Sequence, residues 1–217
     1  MDDLVLRALP ILFDGVKFTI VYSFLSISIG FLLAIQICAA RLSHAPLLSL
    51  LASVYISLFR GVPVLVQLLI FYYCLPLIGI DVLPAVAAVG ALAMCTAAYQ
   101  AEILRGGFLG VSPGQIEAAE ISGLSRTKIL WYIQVPLAVR FTLPSLINEA
   151  TMMVKASSLI SVVGVLELTR AAQSIVAATF EPLPIYMLAG AMYFGIVFVV
   201  TLVGSAVEKR YFLKAEL

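Results

Sequence analysis

This chain carries little charge for its length. Of its 217 residues, 12% are Asp, Glu, Lys or Arg, whereas ordinary globular domains contain about 25% charged residues. The 13 basic and 12 acidic side chains leave a net charge of +1. This balance excludes a nucleic-acid-binding protein, which needs a basic surface to neutralise phosphates.

Residues for covalent, redox or metal chemistry are also scarce. Cys38, Cys74 and Cys95 lie in separate apolar runs without metal-ligand spacing, so we interpret them as small packing residues. The single histidine, His44, lies in a short polar loop. No nucleophile stands near a base, so we expect no enzyme, no catalytic residue and no metal site.

Two sequence motifs are missing as well. The first residues, Met1 to Arg7, are acidic and lack a small-residue cleavage site, so we expect no signal peptide. The chain also has no Gly-x-x-x-x-Gly-Lys-Ser/Thr phosphate-binding loop. If ATP drives this protein, a separate subunit must bind it.

What the chain does contain is apolar: 63% of its residues are hydrophobic and its mean hydropathy is +1.12. A helix needs roughly 20 apolar residues to cross a hydrocarbon core of about 30 Å. Five stretches qualify, at about residues 16–38, 47–78, 84–104, 143–163 and 186–207. The second is too long for one straight helix and contains Pro63, so we expect a break near 60–63. The sequence therefore predicts an all-α integral membrane protein with five transmembrane helices.

Basic residues are distributed unevenly between the two faces of this topology. One face has Arg41, Arg105, Arg126, Lys128, Arg140, Lys209, Arg210 and Lys214; the other has Arg7, Lys17 and Arg170. Because Lys and Arg are retained on the cytoplasmic side, we expect the N-terminus outside and the C-terminus inside. Residues 1–15 are then an external segment, 208–217 a cytoplasmic tail, and the polar loop 112–136 faces the cytoplasm.

The 112–136 loop has strong helix signals. Ser112 suits an N-cap, Pro113 the first helical position, and Gln115 would complete a capping box. Gly123 can adopt the left-handed conformation that closes a helix, after which Ser125 can cap a second short helix leading to Pro136. We expect a helical hairpin outside the bilayer, which either docks on a partner or lies on the lipid surface.

The same loop carries a family signature. Glu117-Ala118-Ala119, Gly123 and Ile133-Gln-Val-Pro136 resemble the EAA loop of ABC importer permeases, although valine replaces the usual leucine before the proline. Further segments resemble the branch that serves polar amino acids: Tyr55 to Gln67, Ala98 to Gly107, Gly114-Gln115, Asn148-Glu149 and Lys155 to Leu159. Val62 and Ala156 depart from the usual threonine and aspartate. The resemblance covers about residues 15–207.

The resemblance implies a function and a set of partners. The chain would be a permease subunit of an ATP-driven amino-acid importer in the bacterial plasma membrane, with residues 16–207 as its transmembrane domain. Its loop would couple to separate ATPase subunits, which bind ATP and Mg, through Gln115, Glu117, Ala118, Ala119 and Gly123. The further partners would be a second permease subunit and an external solute-binding protein. The chain itself would hold no cofactor.

Polar groups inside the predicted spans are costly and indicate a use. Asn148, Glu149 and Lys155 lie in span four, where Met152 and Met153 could supply adaptable apolar walls. Gln67 and Tyr72 follow the expected break, where unwound backbone tends to line a cavity. These residues are candidates for the substrate pathway. The alternative is that they only form hydrogen bonds with neighbouring helices.

Other residues invite structural interpretations. Arg60 would snorkel or cap the broken helix, Glu102 and Arg105 would form an ion pair, and Gly190 and Gly195 would permit close helix packing.

Residues 165–180 suggest a short surface helix in which Glu167 and Arg170 are spaced to pair. A different function also remains open: an ion-coupled secondary transporter or channel subunit, in which Glu149 and Lys155 would carry protons or ions.

Overall fold

The computed structural model describes residues 2–213, with side chains from Leu4 to Arg210. Met1 and residues 214–217, including Lys214 of the basic face, lie outside the described residues. The described chain contains helices and no strand. Its nine α-helices are α1 (Asp2–Leu42), α2 (Pro46–Gly61), α3 (Val64–Leu77), α4 (Pro84–Leu109), α5 (Pro113–Ile121), α6 (Arg126–Ile129), α7 (Val135–Ala156), α8 (Leu168–Thr179) and α9 (Pro182–Leu213).

Four helical segments are long and apolar enough to cross a membrane: Leu4–Leu42, Pro84–Leu109, Arg126–Val163 and Pro182–Arg210. The helices α2 and α3 also qualify when taken together, although they meet at an angle of 105°. The break between them falls at Val62 and Pro63. The protein is therefore all-helical, with four or five candidate spans.

The first helix begins well before the predicted span. Residues 2–15, expected to be a separate external segment, are the first turns of α1, whose 41 residues extend for about 60 Å. Asp14 and Lys17 interrupt the apolar pattern but form an exposed ion pair of 2.7 Å along the helix. On the opposite face, Ala8 and Leu12 are buried against α8 and α9, which stabilises these early turns.

Only the first of the two short helices predicted at 112–136 is a separate helix. The first arm of the expected hairpin is α5, but the second arm does not end at Pro136. Instead α6 continues through a π-helical turn, Leu130–Gln134, into α7. Proline has no amide hydrogen to donate, and the wider π turn lets the helix pass this position without ending. The helical segment that contains the span predicted at 143–163 therefore starts at Arg126.

Helix α4 lies at the centre of the molecule and packs against α1, α2, α3 and α7. Small residues make this close packing possible, as is common between helices in membranes. A Cβ atom at Gly30 would meet Thr96 and Ala93 of α4, and one at Gly107 would lie 2.8 Å from the Ala138 oxygen of α7.

Gly190 and Gly195, expected to permit close helix packing, do not lie at a close contact within the described part of this chain. Among the described residues, nothing lies within 4 Å of the position that a Cβ atom would take at either glycine. The glycine of α9 that does pack closely is Gly204, against Ile147. Sequence alone does not show which side of a uniformly apolar helix meets its neighbour.

Candidate functional site

One face of α7 is exposed along most of its length and carries polar groups. Exposed side chains recur at Phe141, Ser145, Asn148, Met152 and Lys155, which is the spacing of a single helix face. We call these five residues the α7 face. Lipid does not solvate an amide or an ammonium group at membrane depth, so this face requires an aqueous path or a protein partner.

Glu149 lies half-buried beside the α7 face and is held by α4. Its Oε1 accepts a hydrogen bond of 3.0 Å from the Thr96 hydroxyl, which in turn accepts one of 3.0 Å from Gln100 Nε2. The same Gln100 nitrogen lies 3.5 Å from the Ile27 carbonyl oxygen of α1. Three helices are thus joined by a polar chain that ends in the carboxylate.

Sequence reasoning missed Thr96 and Gln100. Both are buried, and Gln100 Oε1 has no hydrogen-bond partner among the described residues. An uncharged amide within an apolar run is a weak signal. Its spacing of four residues from Thr96 would have placed the two on one side of α4.

Gln67 caps the bend between α2 and α3. It is 5% exposed, and its Nε2 donates to the carbonyl oxygens of Phe59 at 2.8 Å and Val62 at 2.7 Å. Arg60, expected to snorkel or cap this break, instead lies over the Tyr99 ring at 5.3 Å from its centroid. The amide, rather than the cation, satisfies the carbonyls that the break leaves open.

The remaining pathway candidates lie in different places. Met152 is 52% exposed on the α7 face, whereas Met153 is buried with Leu68 and Ile160 in an apolar cluster. Tyr72 is half-buried and packs against the same cluster. The structure brings together Asn148, Glu149 and Met152, and does not bring Gln67, Tyr72 or Met153 to that surface.

At the end of the α7 face, Lys155 lines a groove of about 330 Å³. Its wall is mostly apolar and includes Ala172, Ala189 and Gly190, but Ser158, Thr169, Tyr186 and Tyr193 add hydroxyl-bearing side chains. The groove lies between the 3₁₀ segment Ser157–Val163, α8 and α9. The groove adjoins the α7 face at Lys155.

The second candidate surface is α5, in the polar part of the chain. Gly123 has a φ of +77°, as expected for a glycine that closes a helix. Its amide donates to the Glu120 oxygen at 2.9 Å, and the Leu124 amide to the Ala119 oxygen at 3.1 Å. These two bonds form a Schellman motif, which gives α5 a defined end.

The predicted caps at the start of the short helices are not made by side chains. Neither Ser112 nor Ser125 forms a side-chain cap hydrogen bond with the described residues. The first turn of α5 is closed by backbone instead, since the Gln115 amide donates to the Ser112 oxygen at 3.1 Å. The capping-box prediction was therefore wrong, although the helix begins at Pro113.

The exposed side of α5 is a mixed surface. Gln115, Glu117 and Ala118 are exposed, whereas Ala119 is buried towards the rest of the segment. Ile121 is 88% exposed at the end of the helix. The exposed Ala118 and Ile121 therefore form a small apolar contact surface on an otherwise polar helix.

The predicted ion pair between Glu102 and Arg105 is confirmed. Arg105 Nε donates to the carboxylate at 3.0 Å, and a second guanidinium nitrogen contacts the same group. The pair lies in the last turns of α4, just before the chain enters α5.

Comparison with known proteins gives a consistent result. The family described as "binding-protein-dependent transport system inner membrane component" matches residues 26–213. The nopaline transport system permease protein NocM of Agrobacterium fabrum is 37% identical over 208 residues, covering 91% of this chain and 86% of its own. The glutamine transport system permease protein GlnP of Escherichia coli is 35% identical over 205 residues, covering 94% of both chains.

A solved structure is similar over nearly the whole chain. The crystal structure of an amino acid ABC transporter with histidines contains a chain that matches with a TM-score of 0.90 and 35% identity. The match covers 95% of this chain and 96% of that one.

Proposed function

The chain belongs to the binding-protein-dependent transport system inner membrane component family, and we propose that it forms half of the translocation pathway of an ATP-driven amino-acid importer. It is a permease of the plasma membrane, which it crosses several times. Since its relatives are permeases of such systems, the ion-coupled alternative is not retained.

The observation that carries this proposal is the polar α7 face. Asn148, Met152 and Lys155 are exposed along a helix that is otherwise apolar enough to span a bilayer. One copy of the chain leaves this face open. A second permease subunit, identical or related, would cover it and enclose an aqueous path between the two.

We assign the substrate contacts to Asn148 and Glu149. An amide oxygen and a carboxylate suit the ammonium group that all amino acids share. Thr96 holds the carboxylate in one orientation, so little side-chain freedom is lost when substrate binds. Met152 would form an adaptable apolar wall of the pathway. Gln67, Tyr72 and Met153 would pack behind the residues that line it, without contacting the substrate.

The proposed topology has five spans, with α2 and α3 as one broken span, the N-terminus outside and the C-terminus inside. This arrangement places α5 in the cytoplasm together with Arg126 and Lys128. The exposed side of α5 would dock on a separate ATPase subunit, which binds ATP and Mg. Gln115, Glu117, Ala118 and Ile121 would make the contact, supported by Ala119 and Gly123. An external solute-binding protein would deliver substrate.

The experiment is to purify the chain with the products of its neighbouring genes and screen amino acids for stimulation of ATP hydrolysis. We expect an ATPase to co-purify and its activity to rise with a subset of amino acids. Replacing Ala118 and Ile121 by Asp should abolish co-purification, whereas the same change at exposed His44 should not. A complex that forms equally well with the Asp variants would contradict docking through α5.

A further inference from the structure

Glu167 is a fully buried carboxylate in the connection before α8, outside the candidate spans. Both of its oxygens accept hydrogen bonds. Oε1 accepts from the Arg170 amide at 2.7 Å, while Oε2 accepts from the Thr169 amide at 2.8 Å and from the Tyr193 hydroxyl at 2.5 Å. The expected side-chain pair of Glu167 with Arg170 is therefore wrong: the carboxylate caps the helix.

These hydrogen bonds join α8 to α9, and a neighbouring hydrogen bond joins α8 to α1. The Leu168 amide donates to the Thr19 hydroxyl at 3.1 Å. Gly15 allows this approach, since a Cβ atom there would lie 2.8 Å from Leu168 Cα. Three helices thus meet at the first turn of α8.

A second hydroxyl group lies beside the Tyr193–Glu167 hydrogen bond. The Thr169 hydroxyl lies 3.0 Å from the Tyr193 oxygen, and either oxygen can be the donor in this contact. Burial raises the pKa of Glu167, while the hydrogen bonds from Tyr193 and the two amides act in the opposite direction.

On the other side, α8 is connected to α7 through a different kind of joint. The 3₁₀ segment ends at Gly164, which has a φ of +78° and no described atom within 4 Å of its Cβ position. Val163 and Val165 on either side of it are buried, so apolar packing holds this joint, whereas side-chain hydrogen bonds hold the junction at Glu167.

We propose that Glu167 is a positioning residue that fastens α8 to α9, and through Leu168 to α1, so that these three elements move as one unit during transport. The part of this inference that concerns transport depends on the proposed function; the fastening itself does not. Thr169 and Tyr193 also line the groove beside Lys155, so the same junction fixes that wall.

The test uses the complete transporter in proteoliposomes with Glu167→Gln, Tyr193→Phe and the double variant. Hydrogen exchange of the Leu168, Thr169 and Arg170 amides reports the junction directly. The ratio of ATP hydrolysed to solute taken up reports whether the junction matters for transport. A variant that merely assembled poorly would lower the rates of ATP hydrolysis and of uptake together and leave their ratio unchanged. Glu181→Gln, an exposed carboxylate beyond the other end of α8, is the matched control.

We expect amide exchange at residues 168–170 to rise at least tenfold in Glu167→Gln, with more ATP hydrolysed per solute. The effects of the two single changes should be less than additive in the double variant, because Glu167 and Tyr193 belong to one hydrogen-bond network. If Glu167→Gln does not assemble, Tyr193→Phe provides the same test with a smaller change.

Unchanged exchange in both single variants would overturn the fastening. Increased exchange with an unchanged ratio would overturn its role in transport. Absence of ATP-driven uptake in the unmodified complex would instead contradict the proposed function, while the exchange result would still decide whether Glu167 fastens α8.

Discussion

The Thr96 hydroxyl of α4 lies 3.0 Å from Glu149 Oε1 of α7, beside the exposed polar α7 face. This bond gives the half-buried carboxylate one fixed orientation, because α4 is the most enclosed helix of the molecule and Thr96 is fully buried within it. A carboxylate held in this way has a second oxygen that can accept hydrogen bonds from a ligand.

Replacing Glu149 by Gln should weaken transport more than assembly. The amide oxygen can still accept the Thr96 hydrogen bond, but the charge that attracts an ammonium group is lost. A hydrogen bond to a charged group contributes about 1.5–3 kcal/mol, so we expect the KM for uptake to rise about tenfold or more. The measurement is uptake kinetics with a panel of amino acids, and Glu181→Gln serves as the exposed control. Unchanged kinetics for every amino acid tested would remove Glu149 from the substrate contacts.

Replacing Gly123 by Val should uncouple ATP hydrolysis from uptake while leaving the chain inserted. No described atom lies near a Cβ at this position, so the effect comes from the backbone, where a left-handed L residue costs about 1–2 kcal/mol. Gly123→Asn is the matched variant, because asparagine tolerates this conformation better. We expect it to retain most of the coupling. Normal coupled uptake with Val would show that the end of α5 is not part of the transmission.

Replacing Gln67 by Leu should lower stability with little effect on the KM. The change leaves the buried Phe59 oxygen and the half-buried Val62 oxygen without their side-chain donor, which costs about 1–3 kcal/mol. Thermal unfolding in detergent measures this loss. Gln36→Leu, an exposed glutamine on α1, is the control. A large increase in KM at unchanged stability would place Gln67 in contact with substrate instead.

Adjacent glycines in α4 provide a direct test of the packing. Gly107→Ala would press a methyl group against the Ala138 oxygen and Thr142, whereas Gly106→Ala meets no described atom within 4 Å. Overpacking costs about 1–3 kcal/mol, so we expect a lower melting temperature for Gly107→Ala alone. Equal melting temperatures for the two variants would contradict the α4–α7 packing.

The sequence was informative where a residue imposes its own geometry. Pro63 lies at the bend between α2 and α3, Gly123 closes α5, and Pro113 begins it. Each of these follows from backbone chemistry that does not depend on distant parts of the chain. The membrane class likewise followed from composition.

The errors arose where tertiary contacts decide. Hydropathy placed the start of the first span near residue 16, but the ion pair of Asp14 with Lys17 and the buried Ala8 and Leu12 extend the helix towards the N-terminus. Glu167 was assigned to Arg170 by spacing, whereas its carboxylate turns inward to two amides and a tyrosine from another helix. A partner from a distant helix leaves no local pattern in the sequence.

The most direct test of the central claim is amino-acid uptake by proteoliposomes that contain the chain with its co-purified ATPase and solute-binding protein. ATP is supplied inside or withheld, and ion gradients are present or collapsed by ionophores. We predict uptake that requires ATP, persists without ion gradients and is lost when Ala118 and Ile121 are replaced by Asp. Uptake that continues without ATP hydrolysis and stops when the ion gradient collapses would contradict it.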